Sequence, residues 1–212
     1  MLFPKLPFDL VAIAASAGGV TALRKILARV AVPFSTPIVI VQHLPPFVPS
    51  QLSDVLGWRT RLSTKFACHG ERLRAGTVYV APPNRHLVLG NHSRLELDDS
   101  PRWNHVRPAA DHLLISAAER LGGRVLCVVL TGNGFDGAAG AAAVKECGGV
   151  VIVQDPETAE ADAMPRAALA ATEADLVLPL EAIPSALNSL CEVIGTRELF
   201  CRAYVEPSPL SA

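Results

Sequence analysis

Leu10-Val11-Ala12-Ile13-Ala14-Ala15-Ser16-Ala17-Gly18-Gly19 runs without a polar residue into a serine and a glycine pair. A strand with one wet face alternates apolar and polar residues, whereas an unbroken apolar run marks a strand buried on both faces. Comparable runs recur at Pro37 to Gln42, Arg124 to Leu130, Val150 to Gln154 and Asp175 to Leu178, with the first strand spanning Phe8 to Ala14. Between them, Thr21 to Val30, Pro49 to Trp58, Pro108 to Leu121, Gly137 to Cys147, Pro165 to Ala171 and Ile183 to Ile194 carry apolar residues at helical spacing. Strands and helices in alternation predict an α/β fold: a doubly wound, mainly parallel sheet with helices on both faces. The middle breaks the rhythm. Gly76 to Ala81, His86 to Gly90 and Arg94 to Asp98 read as short strands joined by turns, an antiparallel β-hairpin inserted between α/β units.

Composition narrows the function classes. The chain has 212 residues, half of them apolar, and 19 basic residues against 20 acidic. That balance suits one globular domain and lacks the basic excess of a nucleic-acid footprint, so no nucleic-acid partner is expected. No segment reaches the roughly 18 continuous apolar residues of a membrane helix, and Asp9 interrupts the one run that resembles a signal peptide. Five scattered cysteines, Cys68, Cys127, Cys147, Cys191 and Cys201, never form a C-x-x-C pair and read as reduced core residues of a cytoplasmic protein. The histidines other than His43 (His69, His86, His92, His105, His112) show no metal-binding spacing and read mostly as surface or hairpin residues. Neither metal nor cofactor is expected. Residues 1–195 read as one domain and 196–212 as a frayed tail.

In an open parallel sheet the ligand site lies beyond the carboxyl ends of the strands. Three loops there carry reactive side chains. Ser16 follows the first strand, His43 follows Ile38 to Gln42 and precedes Pro45-Pro46, and Asp136 closes the turn Thr131-Gly-Asn-Gly-Phe-Asp136. Each has a plain structural alternative: Ser16 and Asp136 can cap helices, and His43 can be a satisfied core histidine. Together they make the set that acyl transfer needs, a serine activated by an imidazole whose tautomer a carboxylate fixes. The order Ser, His, Asp differs from that of α/β-hydrolases, and Ala14 stands where G-x-S-x-G needs its first glycine.

These residues resemble the catalytic domain of the chemotaxis protein-glutamate methylesterases, commonly called CheB. The likeness runs from about Asp9 to Ile194. It is carried by Ala14-Ala-Ser-Ala-Gly-Gly19, Gln42-His-Leu-Pro-Pro46, Gly76 to Pro83 with His86, Arg107-Pro108 with Asp111, Leu130-Thr-Gly-Asn-Gly-Phe-Asp-Gly-Ala-Ala-Gly140 and Met164-Pro165-Arg166. The resemblance implies a serine hydrolase that demethylates glutamates on the cytoplasmic helices of chemoreceptors, or on a related methylated signalling protein, with a related glutamine deamidase activity. It implies Ser16 as nucleophile, His43 as base, Asp136 as orienting carboxylate, and the backbone amides of Ala17 and Asn133 as the oxyanion hole. Two departures stand out. The family usually carries methionine where Asn133 stands and asparagine where Phe135 stands. The chain also begins only a few residues before its first strand, leaving no room for the usual N-terminal receiver domain; a stand-alone esterase or an excised domain is expected.

Two rival readings stay open at this level. One is a phosphate- or nucleotide-binding module built on the two glycine-rich loops, although neither G-x-G-x-x-G nor a P-loop lysine is present. The other is a catalytically inactive relative that serves as a docking protein.

Overall fold

The structure, a computed structural model, describes residues 8–192. Its sheet begins with β1 (Leu10–Ala15), whose six residues are all buried. Val11, Ile13 and Ala15 face one hydrophobic layer and Leu10, Ala12 and Ala14 the other, which is why the run carries no polar residue. β2 (Ile38–Gln42), β3 (Ser63–Phe66), β4 (Thr77–Val80), β7 (Val125–Val129), β8 (Val150–Gln154) and β9 (Leu176–Leu178) complete a parallel sheet of order β3-β4-β2-β1-β7-β8-β9. β5 (His86–Leu89) and β6 (Leu95–Asp98) pair antiparallel as a separate hairpin. Helices α1 (Gly19–Leu27), α2 (Leu52–Gly57) and α6 (Ile183–Glu192) cover one face of the large sheet. The other face is covered by α3 (Ala110–Leu121), α4 (Ala138–Glu146), α5 (Ala163–Ala171) and the hairpin.

The doubly wound sheet with an inserted hairpin agrees with the sequence pattern. Three details depart from it. Thr77–Val80, expected with the hairpin, instead pairs in parallel with β2 and joins the large sheet. The edge strand β3 has no counterpart in the expected elements, because Ser-Thr-Lys-Phe lacks an apolar run and is only partly buried. Of the four described cysteines, Cys127 and Cys191 are core residues, but Cys68 and Cys147 are exposed. The expected tail at 196–212, with Cys201, lies outside the described residues. Among the described residues no helix is long and apolar enough to cross a membrane.

The winding places the site. From β1 the chain moves through α1 to β2 on one side, and from β7 it moves through α4 to β8 on the other. The loops leaving the adjacent strands β1 and β7 therefore diverge and open a crevice at their carboxyl ends, the usual ligand position in such sheets.

Candidate active site

Ser16 is the first residue beyond β1. Its N–H donates to Thr131 O at 3.0 Å, while His43 N–H donates to Ala15 O at 3.1 Å, so the loops after β1, β2 and β7 extend the ladder before diverging. The capping alternatives fail for both Ser16 and Asp136. Gly18, with φ near +74°, is the N-cap of α1, Gly137 that of α4, and neither helix has a side-chain cap. Left-handed backbone at both positions is what glycine allows without strain.

The side chains instead turn toward one another. His43 Nδ1 lies 3.1 Å from Ser16 Oγ, and His43 Nε2 lies 2.7 Å from Asp136 Oδ2. Asp136 is buried and accepts the N–H groups of Ala110 at 2.6 Å and Asp111 at 3.0 Å, both at the start of α3. Both carboxylate oxygens thus serve as acceptors for backbone N–H groups. His43 then carries its proton on Nε2, and Nδ1 is left as the acceptor for the Ser16 hydroxyl. The ring is reversed relative to the familiar serine-protease arrangement, in which Nε2 faces the serine.

The backbone N–H groups of Ala17 and Asn133 make no hydrogen bond among the described residues. The two loops that carry them are tied together, since Thr131 Oγ1 donates to Ala17 O at 2.9 Å. Asn133 and Phe135 are exposed in the turn before Asp136. Gly132 packs so closely that an added Cβ would collide with Met164 Sδ and lie 2.7 Å from Ser16 Cβ. Gly132→Ala should therefore push Ser16 from its place and destabilise the protein by about 1–3 kcal/mol, the usual range for overpacking. Thermal unfolding together with the rate of fluorophosphonate capture checks this; unchanged values for both would refute it.

A second buried carboxylate supports the first. Asp111 Oδ1 accepts the N–H groups of Gly137 at 2.9 Å and Gly140 at 2.8 Å, and Trp103 Nε1–H donates to Oδ2 at 3.3 Å. Burial pushes the Asp111 carboxyl up and the Asp136 charge adds to this, while the Gly140, Trp103 and Gly137 N–H bonds pull it back. Asp111 thus fixes the start of α4 from the α3 side. Arg107 fixes the neighbouring loop, donating to Asn84 Oδ1, Asp99 O and Ser100 O.

His86, expected at the surface or in the hairpin, is in the hairpin but fully buried. It stacks on His112 with centroids 4.0 Å apart, accepts the Ala109 N–H on Nδ1, and bonds Pro101 O through Nε2, each at 3.1 Å. Burial lowers its pKa from the usual 6.5, with the His112 charge adding and the Pro101 bond opposing. A histidine held neutral in the fold contributes stability that is full above about 6.5 and lost as pH falls through the lowered value. Protonation would put a hydrogen opposite the Ala109 N–H, one residue before the Ala110 amide that holds Asp136. Urea midpoints should therefore fall from pH 7.5 to 5 more steeply for the wild type than for His86→Gln; parallel curves would contradict this role.

The sequence pattern did not single out the roles of Gln42 and Gln154. Their one visible signal is shared: Ile38-Val-Ile-Val-Gln42 and Val150-Val-Ile-Val-Gln154 each end an apolar strand on a buried amide. Gln154 Oε1 accepts the Thr131 N–H at 2.9 Å. A small cleft of about 90 Å³ is lined by His43, Leu44 and Pro46 together with Arg102 and His105 to Pro108. Among the described residues no group of three or more His, Cys, Asp or Glu is arranged to hold a metal.

Comparison with known proteins adds independent findings. The family model described as CheB methylesterase matches residues 11–187. A Caulobacter vibrioides protein named protein-glutamate methylesterase/protein-glutamine glutaminase 2 is 40% identical over 184 residues, covering 85% of this chain and 53% of that protein. Protein-glutamate methylesterase FrzG of Myxococcus xanthus is 40% identical over 190 residues, covering 90% of this chain and 57% of FrzG. The chain thus spans about half the length of these curated relatives. The crystal structure of the Thermotoga maritima CheB methylesterase catalytic domain superposes with a TM-score of 0.83 at 39% identity, covering 86% of this chain and 98% of that one.

Proposed function

The chain belongs to the CheB methylesterase family, and from that premise we propose that it hydrolyses glutamate methyl esters on a methylated chemoreceptor or related signalling protein, using Ser16, His43 and Asp136. The observation that carries the proposal is the continuous hydrogen-bonded chain Ser16 Oγ, His43 Nδ1, His43 Nε2, Asp136 Oδ2 at the carboxyl ends of β1, β2 and the loop after β7. A phosphate-binding module would have no need to align these three side chains.

Ser16 Oγ attacks the ester carbonyl as its proton passes to His43 Nδ1. The imidazolium so formed is stabilised by Asp136, which Ala110 and Asp111 hold in place. The carbonyl oxygen becomes an oxyanion that the Ala17 and Asn133 N–H groups receive; donors of this kind are each worth about 10²–10³ in rate. Collapse expels methoxide, which takes the proton from Nδ1 and leaves as methanol, giving a glutamyl ester of Ser16. Water then gives a proton to the same nitrogen, attacks the acyl carbon and releases the glutamate carboxylate and Ser16. The acyl-enzyme formed from a glutamine side chain is identical, with ammonia leaving, so deamidation needs no additional group.

Cytoplasmic receptor helices as substrate, and hence a cytoplasmic location, belong to this proposal and rest on the family resemblance; the names of the relatives give protein glutamates as the site of demethylation. Methanol release from a methylated receptor fragment, measured beside release from a simple methyl ester, tests chemistry and substrate together. A fluorophosphonate should label Ser16 in the same preparation. Absence of both label and methanol would instead support the inactive docking relative.

A further inference from the structure

We infer that Gln42 is a positioning residue for the proposed reaction, its side-chain amide holding the Ser16 and His43 loops at the spacing that proton transfer requires; the inference rests on the assignment of Ser16 and His43 above. Gln42 is the last residue of β2 and is 4% exposed. Its Nε2 donates to Ser16 O at 2.8 Å and to His43 O at 3.1 Å. One amide group thus bridges the two residues whose side chains exchange a proton, and both of its hydrogens are committed to that bridge. Ser16 O also accepts the Gly19 N–H at 2.9 Å, so the nucleophile's own peptide is held from two sides.

The other end of the amide shows what the bridge costs. Gln42 Oε1 is buried with no hydrogen-bond partner among the described residues and lies against Gly19, where any Cβ would collide with it. Flipping the amide would not help, because Oε1 would then face two carbonyl oxygens. An unpaired buried carbonyl lowers stability, so a residue serving the fold alone would be apolar here. Gln154, at the matching place on β8, makes the contrast. Its Oε1 accepts Thr131 N–H, its Nε2 donates to Thr158 O at 3.0 Å, and both ends are paired. At Gln42 the donor end is used in full and the acceptor end is sacrificed, which fits a residue retained for geometry between Ser16 and His43.

Gln42→Met keeps the length and shape of the side chain, removes both donors and relieves the orphan carbonyl. Its thermal midpoint should stay close to wild type, the relieved Oε1 offsetting the donors lost to Ser16 O and His43 O, with KM unchanged and kcat for methanol release reduced roughly 10- to 100-fold, as expected when reacting groups lose their alignment. A kcat within about twofold of wild type overturns the inference, and so does a fall in kcat that merely tracks loss of folded protein. Gln42→Glu, assayed per folded molecule at a temperature where it is fully folded at both pH values, supplies a second readout that a structural role would not move. Ionised, its carboxylate repels the Ser16 and His43 carbonyls; protonated, it donates to one of them. Activity relative to wild type should therefore be higher at pH 6 than at pH 8.5, and a ratio independent of pH counts against the bridge. Failure of this inference is separable from failure of the catalytic assignment, because only the latter predicts that Ser16→Ala retains turnover.

Discussion

Ser16→Ala is expected to lower kcat for methyl-ester hydrolysis by about 10⁶-fold, the loss seen when a serine nucleophile is removed from such a set. The same change should leave the fold intact. Among the described residues Ser16 Oγ has one hydrogen-bond partner, His43 Nδ1, and the side chain caps no helix. The structural bonds at this residue belong to its backbone: the N–H to Thr131 O, and the carbonyl to Gly19 N and Gln42 Nε2. Alanine preserves all three. Methanol release and fluorophosphonate labelling should vanish while the thermal midpoint holds, and any remaining turnover should reflect the oxyanion donors alone, about 10³–10⁴ over water. Turnover equal to wild type would sink the nucleophile assignment.

How much of this was legible before folding follows from what burial does to sequence. β1, β2, β7 and β8 are visible because burial on both faces forces apolar residues at every position. β3 is invisible because an edge strand with one exposed and three half-buried residues tolerates Ser63, Thr64 and Lys65. β4 is visible as a strand but misplaced, since Pro82-Pro83-Asn84 after it gives the same turn signal whether the strand belongs to a hairpin or to the main sheet. Its parallel register with β2 is a tertiary fact that a four-residue run does not encode.

The site divides in the same way. Ser16, His43 and Asp136 stand out because each directly follows a legible strand or closes the turn after one, and the rule about carboxyl ends then brings their loops together. The bonds made by their supports are hidden because each acts across a long sequence separation on backbone groups that any residue possesses. Asp111 holds Gly137 and Gly140, 26 and 29 residues away, and Gln42 holds Ser16, 26 residues away. Backbone acceptors and donors leave no mark in composition or spacing, so only the folded geometry separates an amide that bridges two loops from one that fills space.

The contrast with Asp136→Asn separates chemistry from support within the same site. This carboxylate has two duties: Oδ2 takes His43 Nε2–H and the Ala110 N–H, and Oδ1 takes the Asp111 N–H. Asparagine has one acceptor oxygen for these three donors. With its oxygen toward His43, its NH2 faces the Asp111 N–H and a buried donor goes unpaired, costing about 1–3 kcal/mol. With the amide reversed, the NH2 faces both His43 and Ala110, which drives the imidazole to the other tautomer and points a hydrogen at Ser16. In either orientation the negative charge that stabilises the imidazolium is gone. Asp136→Asn should therefore lose about 10⁴-fold in kcat, less than Ser16→Ala, since the nucleophile and oxyanion donors remain. Unlike Ser16→Ala, it should also unfold at lower temperature. A variant within tenfold of wild-type kcat but clearly destabilised would reduce Asp136 to an anchor for the start of α3, and the triad reading would fail at its third member while Ser16 and His43 stood.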